Sequence, residues 1–280
     1  MRNLILVAFL LALAAVSVRA LAATQPDDEE DPYYILCGQA DKAIADGDYD
    51  EAAARLLDAI SIRPGAPENV LLMSNLGMVY SYMDRDSLAI ATLDEAHRIA
   101  PAMRTVLNNR AKVFLKMGRD AEAMRDFGAV IAADSLNLEA RFYHGIIALY
   151  SGKLDVAEAD FEVLKEKDPK STSTAQALAT LYSLSGRDKE AIPYFKSLIA
   201  VEPSAEYYAA LAGCELAVER LSDASATISE GLEKFPDDPE LYYYRAKLNR
   251  DRYRLDDARA DAARAVKLGL EPRKAKELFR

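Results

Sequence analysis

The 280-residue chain contains no tryptophan, only two cysteines and only two histidines. Cys37 and Cys214 are too few and too far apart for a disulfide framework, and they read as small buried hydrophobes. His97 and His144 have no Cys or His at metal-ligand spacing, so no zinc site is expected. His144 falls where Leu76, Leu178 and Leu211 stand elsewhere, as a packed residue rather than a base. Alternating Val-, Ile- and Thr-rich runs bounded by turn residues are missing, which excludes an evident strand pattern. Phosphate-binding glycine loops and nucleophile elbows are missing too, and the carboxylates scatter over helix faces as solvation demands. No cofactor is expected and no catalytic residue is nominated.

Hydrophobic residues make up 51% of the chain and charged residues 29%, enough apolar material for a large core. Alanine, leucine, glutamate and arginine dominate, which favours helix. Arg2, the apolar run "LILVAFLLALAAV" and the small residues of "ALA" at Ala20–Ala22 together read as a secretory signal, residues 1–22, cut after Ala22 or Ala23. The run is shorter than the roughly 20 apolar residues of a membrane span, although an uncleaved anchor is the alternative. An exported chain, periplasmic or otherwise extracytoplasmic, is the resulting expectation. The acidic stretch "TQPDDEEDP" lacks the alternating ligands and glycine of a calcium loop, so residues 23–32 are expected to form a solvated linker.

A short motif then recurs. "GDYDEA" at 47 returns as "DRDSLA" at 84, "GRDAEA" at 118, "GKLDVA" at 152, "GRDKEA" at 186, "ERLSDA" at 219 and "YRLDDA" at 253. The spacings are 37, 34, 34, 34, 33 and 34 residues. Each copy ends on alanine: Ala52, Ala89, Ala123, Ala157, Ala191, Ala224 and Ala258. Seven residues before each copy stands Ala40, Gly77, Ala111, Gly145, Ala179, Ala212 or Ala246. Antiparallel helices approach closely only where the side chains at their crossing are short, so these positions predict helical hairpins. Leu56, Leu93, Phe127, Phe161, Phe195, Ile228 and Ala262 follow four places later to fill the space beside the crossing. Tyr80, Phe114 and Tyr182 do so from the first helix. Pro64, Pro101, Pro169, Pro203 and Pro236 mark where second helices stop, and Ser135 at the same place is expected to cap the next helix.

These residues resemble the tetratricopeptide repeat family, in which a period near 34 residues marks stacked helix–turn–helix units. The resemblance implies an all-α, right-handed α-solenoid of seven repeats beginning near residues 33, 70, 104, 138, 172, 205 and 239. The array is expected over 33–270, with residues 271–280 as a capping helix. Glu215 and Asn249 depart from the aromatic pattern and Ala262 underfills its position, so looser packing is expected towards the C-terminus. Pro193 is expected to cost a hydrogen bond near the first turn of its helix without breaking it.

The resemblance also implies a non-enzymatic scaffold binding a peptide or protein in a concave groove lined by first helices. At the groove places stand Met78, Tyr82, Asn108, Lys112, Lys116, Phe142, Ile146 and Tyr150. An amide pairs with a peptide backbone, lysines with a carboxylate, and aromatics with apolar side chains. The carboxylate clamp of the family's chaperone-binding members is incomplete: Asn75 and Asn109 match it, but their basic companions do not. The mature chain would carry 33 basic and 45 acidic residues, while residues 245–280 hold 12 basic and 6 acidic. That basic end, with Arg250, Arg252 and Arg254, suggests a structural subunit contacting an anionic surface, a partner or another copy as the alternative to groove binding. An accessory domain to an enzyme is a further alternative. Nucleic acid is not an expected partner of an acidic exported protein.

Overall fold

The computed structural model describes residues 31–280; the expected signal and all but the last two residues of the acidic linker lie outside the described residues. Fifteen α-helices follow one another among the described residues: α1 (Pro32–Asp46), α2 (Tyr49–Ile62), α3 (Asn69–Tyr82), α4 (Asp86–Ile99), α5 (Arg104–Lys116), α6 (Asp120–Ala133) and α7 (Leu138–Tyr150), then α8 (Leu154–Lys167), α9 (Thr172–Leu184), α10 (Asp188–Val201), α11 (Ala205–Ala217), α12 (Leu221–Lys234), α13 (Pro239–Asp251), α14 (Leu255–Lys267) and α15 (Pro272–Glu277). The described chain contains no strand. None of the described helices is long and apolar enough to cross a membrane.

The helices group into two compact bodies, one ending at Ser151 and the other beginning at Gly152. In the first, α1 packs on α2, α3 on α4 and α5 on α6, and each second helix also packs on the first helix that follows. Helix α3 additionally touches α5. In the second body α9 packs on α10, α11 on α12 and α13 on α14, with α11 touching α13 and α15 closing on α14.

Small residues set these pairings. All seven motif-ending alanines, Ala52 to Ala258, have no exposed surface, and neither do Ala40, Ala111, Ala179, Ala212 and Ala246 opposite them. Leu56, Leu93, Phe127 and Phe161 are fully buried in the spaces alongside. At Gly77 the crossing is close: an added Cβ would lie 2.5 Å from Leu93 Cγ. Towards the C-terminus the core is built from smaller side chains, with Ala246, Ala262, Ala265 and Ala275 joined by Leu270 and Leu278.

Turn geometry repeats as strictly as packing. The residue opening each motif copy has a left-handed backbone: Gly47, Asp84, Gly118, Gly152, Gly186, Glu219 and Tyr253. Four are glycine, which adopts that conformation without steric cost. Asp84, Glu219 and Tyr253 carry its strain at φ 56, 59 and 60°. Side-chain caps fall mostly on first helices, although Asp48 caps α2 and neither α3 nor α5 has one. Asp31, Asn137, Ser171, Ser204 and Asp238 cap first helices with side-chain oxygens. Asn137, rather than Ser135, caps α7, because it stands immediately before the first helical residue and accepts from Ala140 N–H. Pro193 lies inside α10, which continues through it.

The tight crossing yields a direct expectation. Gly77→Ala should destabilise the fold by roughly 1–3 kcal/mol through overpacking. Leu93→Ala alone should cost about 2–5 kcal/mol, but combined with Gly77→Ala the loss should be smaller than the sum, because the space the new methyl needs has been vacated. Urea unfolding of the two single variants and the double variant followed by circular dichroism measures the coupling.

Candidate functional site

Polar side chains join α3, α5 and α7 in the first body. Asn108 and Lys112 are four residues apart on α5, so they project from one side of the helix, one turn apart. Both reach Glu139 in the first turn of α7. Asn108 Nδ2 donates to Glu139 Oε2 at 2.6 Å, and the Lys112 ammonium pairs with Glu139 Oε1. The Lys112 side chain keeps only 10% of its surface, whereas that of Glu139 keeps 46%. Asn108 Oδ1 is withdrawn from solvent and accepts no hydrogen bond.

One turn further along α5, Lys116 donates to the Ser81 carbonyl and, at 2.9 Å each, to Asp84 Oδ1 and Asp86 Oδ1. An ammonium has three N–H donors, so Lys116 is saturated. Partial burial works against its charge, but the hydrogen bonds to Asp84 and Asp86 outweigh it and hold the pKa above the usual lysine value. Tyr82 stacks on Tyr49 with ring centroids 5.3 Å apart. Burial first, then Tyr49 and Glu139, raises the Tyr82 pKa; burial, Glu139 and Tyr82 likewise raise that of Tyr143. The phenols and the carboxylate therefore share one electrostatic environment.

The residues nominated from sequence thus separate. Met78, Tyr82, Asn108 and Tyr150 are half-buried. Ile146 is 1% exposed and Phe142 8%, so both belong to the core rather than to an open surface. Phe142 meets Tyr143 edge-on at 5.7 Å. The two lysines, expected to offer free charge, are neutralised by carboxylates of the same chain. Glu139, Asp84 and Asp86 were not nominated, because their partners lie 27–32 residues away along the chain, across a repeat. Reading the sequence with a one-repeat offset would have found them.

At the C-terminal end, Arg250 donates to the Leu278 carbonyl at 3.1 Å and pairs with Asp251. It thereby ties α15 to α13. Arg252 donates to the Leu221 carbonyl at 2.8 Å and to Ser225 Oγ at 3.3 Å. Arg254 is exposed at the start of α14. Two of the three nominated arginines therefore hold the fold together.

Other buried polar groups are internal as well. Arg110 grips Asp126 with two hydrogen bonds of 2.7 and 3.0 Å and reaches Asp94 at 3.0 Å. Arg245 grips Asp261 in the same way, and Asn249 donates to that carboxylate at 3.0 Å. Glu215, wholly buried, accepts from Thr227 at 2.7 Å and lies 3.3 Å from the Lys196 ammonium. Among the described residues, no group of three or more His, Cys, Asp and Glu side chains is placed to hold a metal ion.

Comparison with known proteins agrees with this architecture. Residues 108–172 and 215–270 match one model of the tetratricopeptide repeat and residues 174–206 match another, together more than half of the chain. DnaJ homolog subfamily C member 3 of Gallus gallus is 29% identical over 164 residues, covering 53% of this chain and 32% of that protein. The chain thus spans about a third of that relative's length. The crystal structure of a tetratricopeptide repeat protein from Parabacteroides merdae matches at TM-score 0.61 and 24% identity, covering 89% of this chain and 97% of its own. PilW, described as a type IV pilus biogenesis factor, matches at TM-score 0.61 and 23% identity over 78% of this chain and 98% of its own. MamA matches at TM-score 0.53 and 20% identity over 60% and 91%.

Both thiols are inert by placement. Burial, reinforced by Asp41, pushes Cys37 up to about 11, and burial, reinforced by Asp188, pushes Cys214 up to about 12. Each ionises later in the folded chain than in the unfolded one. The stability it contributes is intact below the unfolded value of 9 and is lost as pH rises through about 11 and about 12. Dithionitrobenzoate at pH 8 should leave the native protein unlabelled and titrate two thiols in denaturant.

Proposed function

Because the chain belongs to the tetratricopeptide repeat family, we propose that it is an exported, non-enzymatic scaffold that docks a protein segment against the α3–α5–α7 face. The observation that carries this reading is the Asn108–Lys112–Glu139 arrangement. A buried ammonium, a half-buried amide and an acceptor without a donor lie together beside half-buried aromatic side chains. Cores avoid such groups, whereas docking faces use them to orient a ligand. Contact through the basic C-terminal end is the weaker alternative, since Arg250 and Arg252 are engaged within the fold.

A photo-cross-linking residue at Tyr82 should give discrete partner adducts in the native host, and the same residue at Glu95 on α4 should not. Adducts from Glu95 alone would move the docking surface to the second helices.

Export is supported by Arg2, the apolar run from Leu4 to Val16 and the small residues at Ala20–Ala22. Protein isolated from its native host should begin at or beside Ala23. A soluble form retaining Met1 would end the extracytoplasmic reading.

A further inference from the structure

On the reading that the α3–α5–α7 face docks protein segments, we propose that Lys112 and Asn108 form a carboxylate subsite which Glu139 occupies in the free chain. An acidic residue of the partner then binds by displacing Glu139. The geometry points to exchange for three reasons.

First, Asn108 and Lys112 hold the two oxygens of a single carboxylate, one from each side chain. That is how they would hold a carboxylate of any origin. Second, burial is unequal across the pair: the Lys112 side chain is 10% exposed and that of Glu139 is 46% exposed. The cation is fixed in place, while the carboxylate keeps nearly half its surface in water and has room to leave. A buried ammonium without a counter-charge is strongly unfavourable, so the departure of Glu139 demands another anion. Third, Asn108 Oδ1 is buried and accepts nothing. Glu139 supplies a carboxylate but no donor to that oxygen. An acidic residue in an extended segment brings backbone N–H groups close to its carboxylate and can satisfy both ends of the amide.

Lys116 offers no second subsite of this kind, because its three N–H groups are already taken by Ser81, Asp84 and Asp86. A cationic partner residue is disfavoured at Lys112, because drawing Glu139 away would leave the buried ammonium unpaired.

The probe is a fluorescein-labelled decapeptide rich in Asp and Glu, compared with its Asn and Gln counterpart by fluorescence anisotropy on the full chain. Glu139→Ala should bind the acidic peptide at least tenfold more tightly than the parent does and leave the amide peptide unchanged. If circular dichroism shows that Glu139→Ala is unfolded, Glu139→Gln replaces it, with tighter acidic binding again expected. Lys112→Met combined with Glu139→Leu removes both charges together and should show no preference for the acidic peptide. Equal affinity of the parent and the folded Glu139 variant would overturn the subsite, as would an acidic preference that survives the double substitution. If Tyr82 cross-links persist under either of those results, the docking face stands and only the exchange fails. Loss of the cross-links as well would remove both.

Discussion

The close crossing of two helices at a pair of small residues is the constraint on which this molecule depends. Ala52 and Ala40, Ala123 and Ala111, and their counterparts have no exposed surface. Backbones brought that near leave room for large side chains only beside the crossing, where Leu56, Phe127 and Phe161 are buried. The same proximity demands a short turn between the helices. Each turn passes through one left-handed residue, and where that residue is Asp84, Glu219 or Tyr253 the strain is carried without glycine. Packing supplies the offset, because a hairpin that buries its alanines gains more than one strained residue costs.

Beside the apolar crossing runs a polar fastening that keeps register. Arg110–Asp126 and Arg245–Asp261 each join residues 16 apart, from the first helix of a pair to the second. Breaking the largely buried Arg110–Asp126 pair leaves an uncompensated charge, so it penalises a slip of one helix past the other; Arg245 is more exposed and its pair does so less strongly. Glu215 extends the theme: where other repeats place an aromatic ring, the carboxylate takes Thr227 and Lys196 instead. The departures at Glu215 and Asn249 are thus not vacancies. Both side chains join local networks, and the C-terminal core compensates for its small alanines with Asp261 held from two sides.

Helix pairing was legible in the sequence because it depends on residue size at a fixed period, and size is visible in single letters. The docking face was legible only in part. The family resemblance placed Asn108, Lys112 and Tyr82 on a common face, but it did not give their charge state. Lys112 and Lys116 look free until their partners are found 27 to 32 residues away, in a neighbouring repeat. Ile146 and Phe142 look like groove residues by position yet are buried, since position within a repeat does not say how much neighbouring chain covers it. The Arg–Asp spacing of 16 was legible in principle, being the same in two repeats.

Asp48 caps α2 in the ordinary way, but the six later second helices begin in a way that opposes such capping. Arg85, Arg119, Lys153, Arg187, Arg220 and Arg254 occupy their N-cap positions, and none supplies a side-chain cap. A cation there also meets the positive end of the helix dipole. Two of these residues show what replaces the cap. Arg119 lies 4.4 Å from the Phe114 ring centroid and pairs with Glu122, and Arg187 lies 4.4 Å from that of Tyr182 and pairs with Glu190. Each guanidinium covers an aromatic ring of the preceding helix while its acidic partner, three residues on, sits in the first turn where negative charge is favoured. The cap is exchanged for a stacked ion pair that joins both helices of a hairpin across their turn. A side-chain cap would stabilise one helix end, whereas this arrangement stabilises the turn that the alanine crossing requires.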